Sequence, residues 1–149
     1  MQRKTVAFLM FVALAFAAVA AQAKTVTVEG TDSLRFSVDT ITVKPGEEVT
    51  IKLVNKSSMP AAAMSHNLVI LKQDADAHAF DQAALGAKSD DYIPQDKLDE
   101  VVAHTGLVAG GESDSVTFTA PEETGDYPYL CTFPGHFAAG MKGVLKVED

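Results

Sequence analysis

The stretch LRFSVDTITVKPGEEVTIKLVN, Leu34 to Asn55, carries the fold in its spacing. Leu34, Phe36 and Val38 share one parity, Ile41 and Val43 follow, and Val49, Ile51 and Leu53 alternate after a KPGE turn. Apolar residues at every second position suit a strand with one buried face, and the Pro-Gly pair marks the reversal between two such strands. The same alternation recurs outward in both directions. KTVTVEG (Lys24–Gly30) precedes it, and ESDSVTFTA (Glu112–Ala120), GDYPYLC (Gly125–Cys131) and KGVLKVE (Lys142–Glu148) follow. HNLVIL (His66–Leu71) is apolar throughout, as a strand covered on both faces would be. Seven or eight short strands, read here as half-buried and antiparallel, predict an all-β protein built as a two-sheet sandwich.

One segment breaks the pattern. From about Gln73 to Glu100 the chain reads as a flap: DADAHAFDQAALG predicts a short helix with Asp74 or Asp76 as its cap and Gly86 as its terminator. SDDYIPQDKLDE then returns as a polar loop. The acids Asp74, Asp76, Asp81, Asp90, Asp91, Asp96, Asp99 and Glu100 read as a solvated face of this flap, able to steer a basic partner. Pro128 is awkward inside a strand, and its nitrogen must face away from a neighbour or sit at a bulge.

The first 23 residues have the three parts of a secretory signal: Arg3 and Lys4, an apolar run from Val6 to Ala20, and Ala21-Gln22-Ala23 as a cleavage pattern. The expected organisation is a cleaved signal over 1–23 and one domain over 24–149, exported to the periplasm. Cleavage leaves 126 residues, enough for a real core, and moves the formal net charge from −8 to −10. That balance argues against nucleic acid and anionic membranes as partners.

Export makes the only cysteine odd. Exported proteins use cysteines in pairs as disulfides, and Cys131 has no second thiol to meet. Its neighbourhood, LCTFPGHFAAGMKG, places His136 and Met141 at intervals of five, with Pro134, Gly135 and Gly140 allowing the chain to turn between them. Thiolate and imidazole are strong donors for copper, zinc or iron, and thioether favours copper. His66 opens an apolar strand, where an unpaired imidazole is rarely tolerated. Two histidines, one cysteine and a weak axial methionine form the donor set of a blue-copper electron-transfer centre, here His66, Cys131, His136 and Met141. Coordination would also protect the thiol from oxidation. His78 and His104 lack a second donor nearby and read as surface or packed histidines.

CTFPGHFAAGMKGVLKV resembles the copper loop and last strand of the azurins, the bacterial cupredoxins. MSHNLVI resembles their first-histidine segment, VVAHTGLVAGGESDSVTF the stretch before the loop, and SDDYIPQDKLDE the end of their flap. The resemblance implies an eight-stranded Greek-key sandwich with a helix-bearing flap and one type 1 copper per chain. It implies a monomeric periplasmic shuttle of single electrons, not an enzyme, exchanging with redox proteins such as c-type cytochromes or copper and haem reductases. By position it makes the Ser65 backbone carbonyl a weak axial contact, has Asn67 bond across to the cysteine loop and sulfur, and aims the Phe133 N–H at that sulfur. The chain departs from azurins in four places. Ser65 replaces a glycine, the His136-to-Met141 interval is one residue longer and similar to that of auracyanins or plastocyanins, the disulfide is missing, and Leu68 stands for a buried tryptophan.

Met59, Met64, Pro134, Phe137 and Ala138 belong to two uncharged segments near the histidines and predict an apolar docking patch, with the edge of His136 as electron portal. The competing function is copper binding and trafficking without electron transfer, which would call for Met- and His-rich tracts.

Overall fold

A computed structural model describes residues 23–149. The expected signal, apart from Ala23, lies outside the described residues. In chain order the elements are β1 (Lys24–Gly30), β2 (Thr40–Val43), β3 (Glu48–Asn55), α1 (Ala61–Met64), β4 (Val69–Leu71), α2 (Ala77–Ala84), β5 (Val101–His104), β6 (Ser113–Thr119), β7 (Gly125–Leu130), α3 (His136–Ala139) and β8 (Lys142–Val147). Two 3-10 turns, Lys88–Asp90 and Gln95–Glu100, sit between α2 and β5.

The strands form the two expected sheets, β1-β3-β6 and β2-β8-β7-β4-β5. The chain passes repeatedly from one sheet to the other, as a Greek-key sandwich requires. Between them lie Val28, Val43, Val49, Ile51, Leu53, Leu68, Ile70, Tyr129 and Leu145. Tyr129 packs on Phe36 with ring centroids 5.5 Å apart. β4 is covered on both faces: Leu68 and Ile70 join this core, while Val69 and Leu71 pack with Phe80, Ile93 and Leu130 under the flap.

Three details differ from the sequence reading. The sheets are mixed, because β1 pairs parallel with β3 and β2 parallel with β8. Alternation reports which face is buried and is blind to strand direction. The Leu34–Val38 segment is a corner and not a strand. Leu34 takes φ +55 and its N–H donates to Thr31, while Phe36 only bridges Gly30. Finally, the polar-looking loop after α2 buries Tyr92 and Ile93.

The other turn signals behave as read. Gly46, at φ +68, completes the KPGE reversal in a backbone region open mainly to glycine. Asp76 caps α2, accepting from the N–H groups of His78 and Ala79. Gly86 follows the helix without a positive φ, its N–H bonding Ala83. The Val144 N–H donates to Asp39, so the Pro128–Val144 pair exchanges no bonds. The Pro128 nitrogen therefore points past the last β4–β7 partner, Ile70–Tyr129, and forfeits nothing.

Candidate metal centre

Strand ends and one loop bring the donors together. His66 precedes β4 and is fixed by a two-bond bridge to Val108, donating its N–H at 3.0 Å and accepting at 2.8 Å. Cys131 follows β7. His136 starts α3, after Gly135 has turned the chain at φ +84, and Gly140 ends that turn at φ +106. Met141 then returns to the sandwich, its carbonyl accepting from the Cys131 N–H at 3.1 Å. The eleven-residue connection, 131–141, thus closes on itself and buries all three of its donor residues.

His66, Cys131 and His136 form the metal-competent cluster among the described residues. The Nδ1 atoms of the two imidazoles are 3.2 Å apart, and the Cys131 sulfur lies 4.0 Å from His66 Nδ1 and 3.6 Å from His136 Nδ1. These three atoms lie on a circle of radius about 2.1 Å, matching metal–imidazole and metal–thiolate bonds of about 2.0 to 2.3 Å. All three residues and Met141 are buried. The Met141 methyl and the His66 ring converge on Gly30. A Cβ there would stand 2.6 Å from His66 Cδ2 and 3.0 Å from Met141 Cε.

The electrostatics call for a cation. Burial pushes the Cys131 thiol up to about 12, against the opposing influence of the backbone N–H groups of Asn67 and Phe133. Burial, followed by repulsion from His136, lowers His66 to about 4, and burial also lowers His136. Near neutral pH both imidazoles therefore keep a free lone pair, while the thiol ionises only if a metal ion takes its proton's place. The donor set fits a soft, thiolate-seeking ion such as copper.

The surrounding bonds hold this geometry. Asn67 Oδ1 accepts from the Thr132 N–H at 2.8 Å, and its Nδ2 donates to Thr132 Oγ1 at 2.7 Å. The buried Asn55 side chain donates to the Met64 and Val108 carbonyls at 2.8 and 2.9 Å, clamping the approach to His66. Arg35 donates to the Ala139 carbonyl, bracing the end of α3. Ser65 is buried, its hydroxyl bonding Ala61 at 2.7 Å. Phe133 stacks tilted on His136 with centroids 4.7 Å apart.

His78 and His104 stand apart from the cluster. His78 is exposed and meets the Phe137 ring edge-on at 6.5 Å, and His104 is half-buried on β5. Of the residues expected in the patch, Met59, Pro134 and Ala138 are exposed, and Met64 and Phe137 half-buried. One expected surface acid is not on the surface, since Asp81 is buried against the sheet. The sequence reading passed over Gly30, Asn55 and Arg35. A glycine closing an alternating strand is itself a sign of close approach, and Gly30 carried that signal.

Metal-free protein should lose stability on acidification. The His66 imidazole takes its proton only near pH 4 in the fold but near pH 6.5 in the unfolded chain. Between those values the unfolded state binds more protons, so stability falls as pH drops through that window, by about 2 to 3 kcal/mol in all. Urea unfolding at pH 7 and pH 4.5 checks this, and His66→Phe should flatten the His66 contribution.

Residues 22–148 match the family described as copper binding proteins, plastocyanin/azurin family. The chain is 37% identical over 125 residues to azurin of Alcaligenes faecalis, covering 82% of this chain and 96% of that one. It is 42% identical to azurin-2 of Alcaligenes xylosoxydans xylosoxydans, covering 81% and 95%. Among solved structures it is similar to dithionite-reduced auracyanin of Roseiflexus castenholzii, with TM-score 0.76, 34% identity and coverage of 85% and 98%. Auracyanin A of Chloroflexus aurantiacus gives TM-score 0.76, 35% identity and coverage of 85% and 100%.

Proposed function

The chain belongs to the plastocyanin/azurin family of copper-binding proteins, and from that premise we propose that it carries single electrons between periplasmic redox proteins. The observation that supports this most is the buried triangle of two imidazole nitrogens and one sulfur, with the Met141 methyl converging with the His66 ring on Gly30. When bound, copper supplies a one-electron Cu(II)/Cu(I) couple.

The protein's part is to hold its ligands still. Copper would be held by Nδ1 of His66 and His136 and by the Cys131 thiolate, with the Met141 thioether and the Ser65 carbonyl as weaker donors. Two imidazoles, one thiolate and a weaker thioether would suit both Cu(II) and Cu(I), so little would have to move when an electron arrives. The Asn67–Thr132 pair and the Asn55 clamp keep that set in place, as outer bonds do in metal sites generally. Burial keeps water from the ligands. The arrangement lacks an acid–base pair suited to substrate turnover, which favours a carrier over an enzyme. Buried ligands also disfavour the trafficking alternative, since delivery calls for exchangeable donors.

His136 is the exit. It is 4% exposed, whereas His66 is fully covered with its Nε2 unpartnered. Pro134, Phe137 and Ala138 share its loop, Met59 and Met64 precede the other histidine and complete the proposed patch, and beside Phe137 runs a groove of about 400 Å³ lined also by Ala77, Pro128, Lys142 and Val144. A small dry surface of this kind suits a c-type cytochrome or a copper or haem reductase that must bind briefly and leave. The expected secretory signal supports a periplasmic setting for this exchange. Among the described residues no helix is long and apolar enough to cross a membrane.

Ala138→Glu puts a charge on the patch without touching a ligand. It should slow electron exchange with a c-type cytochrome about tenfold, equivalent to about 1.4 kcal/mol in the encounter, while leaving the visible spectrum unchanged. Stopped-flow mixing measures both, and an unaltered rate would remove the patch from the mechanism.

A further inference from the structure

The flap returns to the sandwich through a corner that its residue types disfavour. Asp91 and Tyr92 are consecutive and take φ +55 and +61, in the left-handed region. An aspartate visits that region at modest cost, but a bulky tyrosine there is an outlier. Such a conformation persists only where its surroundings hold it, and strained backbone of this kind collects at functional sites. The Asp91 carbonyl accepts from Asn67 Nδ2 at 2.9 Å, and the Tyr92 carbonyl accepts from Thr132 Oγ1 at 2.8 Å. Asn67 Nδ2 also donates to Thr132 Oγ1 at 2.7 Å, so two successive carbonyls of the corner converge on one side-chain pair. Asn67 directly follows His66, and Thr132 directly follows Cys131. The Asp91 carboxylate accepts from the Leu107 N–H at 3.3 Å, one residue before the Val108 that bridges His66. The buried Tyr92 ring meets Phe133 edge-on with centroids 5.4 Å apart, and Phe133 in turn lies 4.7 Å from His136. A glycine would adopt φ +61 freely and offer the same carbonyl, but it has no ring to set against Phe133.

We propose that the Asp91-Tyr92 corner is a positioning element of the metal centre. It locks the residues behind His66 and Cys131 through Asn67 and Thr132, and it braces His136 through the Tyr92 ring and Phe133. The proposal rests on the copper-carrier reading and adds to it a part for the flap, none of whose residues is a ligand. A carrier works best when its ligands stay in place as the metal changes valence, and bonds one residue behind the donors secure that. The corner supplies three such ties from one short segment, which explains why a tyrosine is kept where a glycine would fit the backbone better.

Tyr92→Gly tests this, because it relieves the backbone, keeps the carbonyl and deletes the ring. In copper-loaded protein it should alter the copper hyperfine splitting, shift the blue band and weaken copper binding about tenfold in competition with a chelator. In metal-free protein the Thr132 N–H, which donates to Asn67 Oδ1, should exchange with solvent faster. Tyr92→Phe keeps the ring and should restore all of these values. Val43→Ala controls for lost stability alone. Val43 pairs with Val147, which lies opposite Gly125 at the end of the sandwich away from Cys131. It should lower the urea midpoint and leave spectrum and affinity as in wild type. A Tyr92→Gly protein with wild-type hyperfine splitting and affinity would overturn the proposal, as would a Val43→Ala protein showing the same spectral change. Should Tyr92→Gly not fold, Thr132→Val decides by the same readouts, since it keeps the side-chain shape and removes the hydroxyl that ties Asn67 to the Tyr92 carbonyl. Wild-type values there would contradict the idea. A blue wild type with an unperturbed variant removes this inference alone, whereas a wild type that stays colourless with copper removes the carrier reading as well.

Discussion

Cys131→Ser should abolish the intense blue colour that copper-loaded protein is expected to show, leaving at most the pale absorption of copper held by nitrogen and oxygen. The colour depends on charge moving from a thiolate to Cu(II), and Cys131 is the only sulfur of that kind in the chain. A serine oxygen at this position is a harder and shorter donor, and the pocket gives it little help. Only the backbone N–H groups of Asn67 and Phe133 offset the burial that keeps even the native thiol protonated without a metal. Copper affinity should therefore fall by several orders of magnitude, while the fold persists because Ser fills nearly the volume of Cys. A competition titration with a copper chelator, alongside the visible spectrum and far-ultraviolet circular dichroism, measures the three effects. An intense blue band surviving in the variant would show that the sulfur is not a ligand.

Gly30→Ala is expected to have the second largest effect, although this residue offers no donor. The added methyl would meet His66 Cδ2 at 2.6 Å, far inside van der Waals contact, and Met141 Cε at 3.0 Å. The methionine methyl can swing aside. The imidazole has less freedom, because the His66 backbone is bridged to Val108 and that bridge is clamped by Asn55. Overpacking of this kind costs about 1 to 3 kcal/mol. Here the strain falls on a ligand, so it should appear in the spectrum as well as in stability. We expect a weaker or shifted blue band, altered copper hyperfine splitting in electron paramagnetic resonance, and a lower urea midpoint. A variant less stable but spectroscopically identical would mean that the β1 end is packing material and takes no part in placing the imidazole.

These two residues show why the site was legible in one part and hidden in another. Cys131, His136 and Met141 are rare residue types at short intervals in one loop, and a lone thiol in a chain expected to be exported demands an explanation. His66 was readable because an imidazole is out of place at the head of an apolar strand. Tyr92 and Gly30 carry no such mark. Tyr92 looks like one aromatic in a polar loop, and only the return of the flap against Thr132 and Phe133 shows its place. Gly30 matters because of what β4 and the last loop bring to it from 36 and 111 residues away. The same limit applies to the sheets. Alternation found β3, β6, β7 and β8, yet it also ran through Leu34–Val38, where a positive φ at Leu34 makes a corner. It could not tell that β1 and β2 run parallel to β3 and β8, since direction is set by the crossovers and leaves the side-chain period unchanged.

Copper K-edge X-ray absorption on the loaded protein in both oxidation states tests the central claim most directly. The account predicts one short sulfur and two imidazole nitrogens at about 2.0 to 2.3 Å, with the same three donors retained on reduction and bond lengths nearly unchanged. A first shell without sulfur, or a donor gained or lost between the two states, would contradict it.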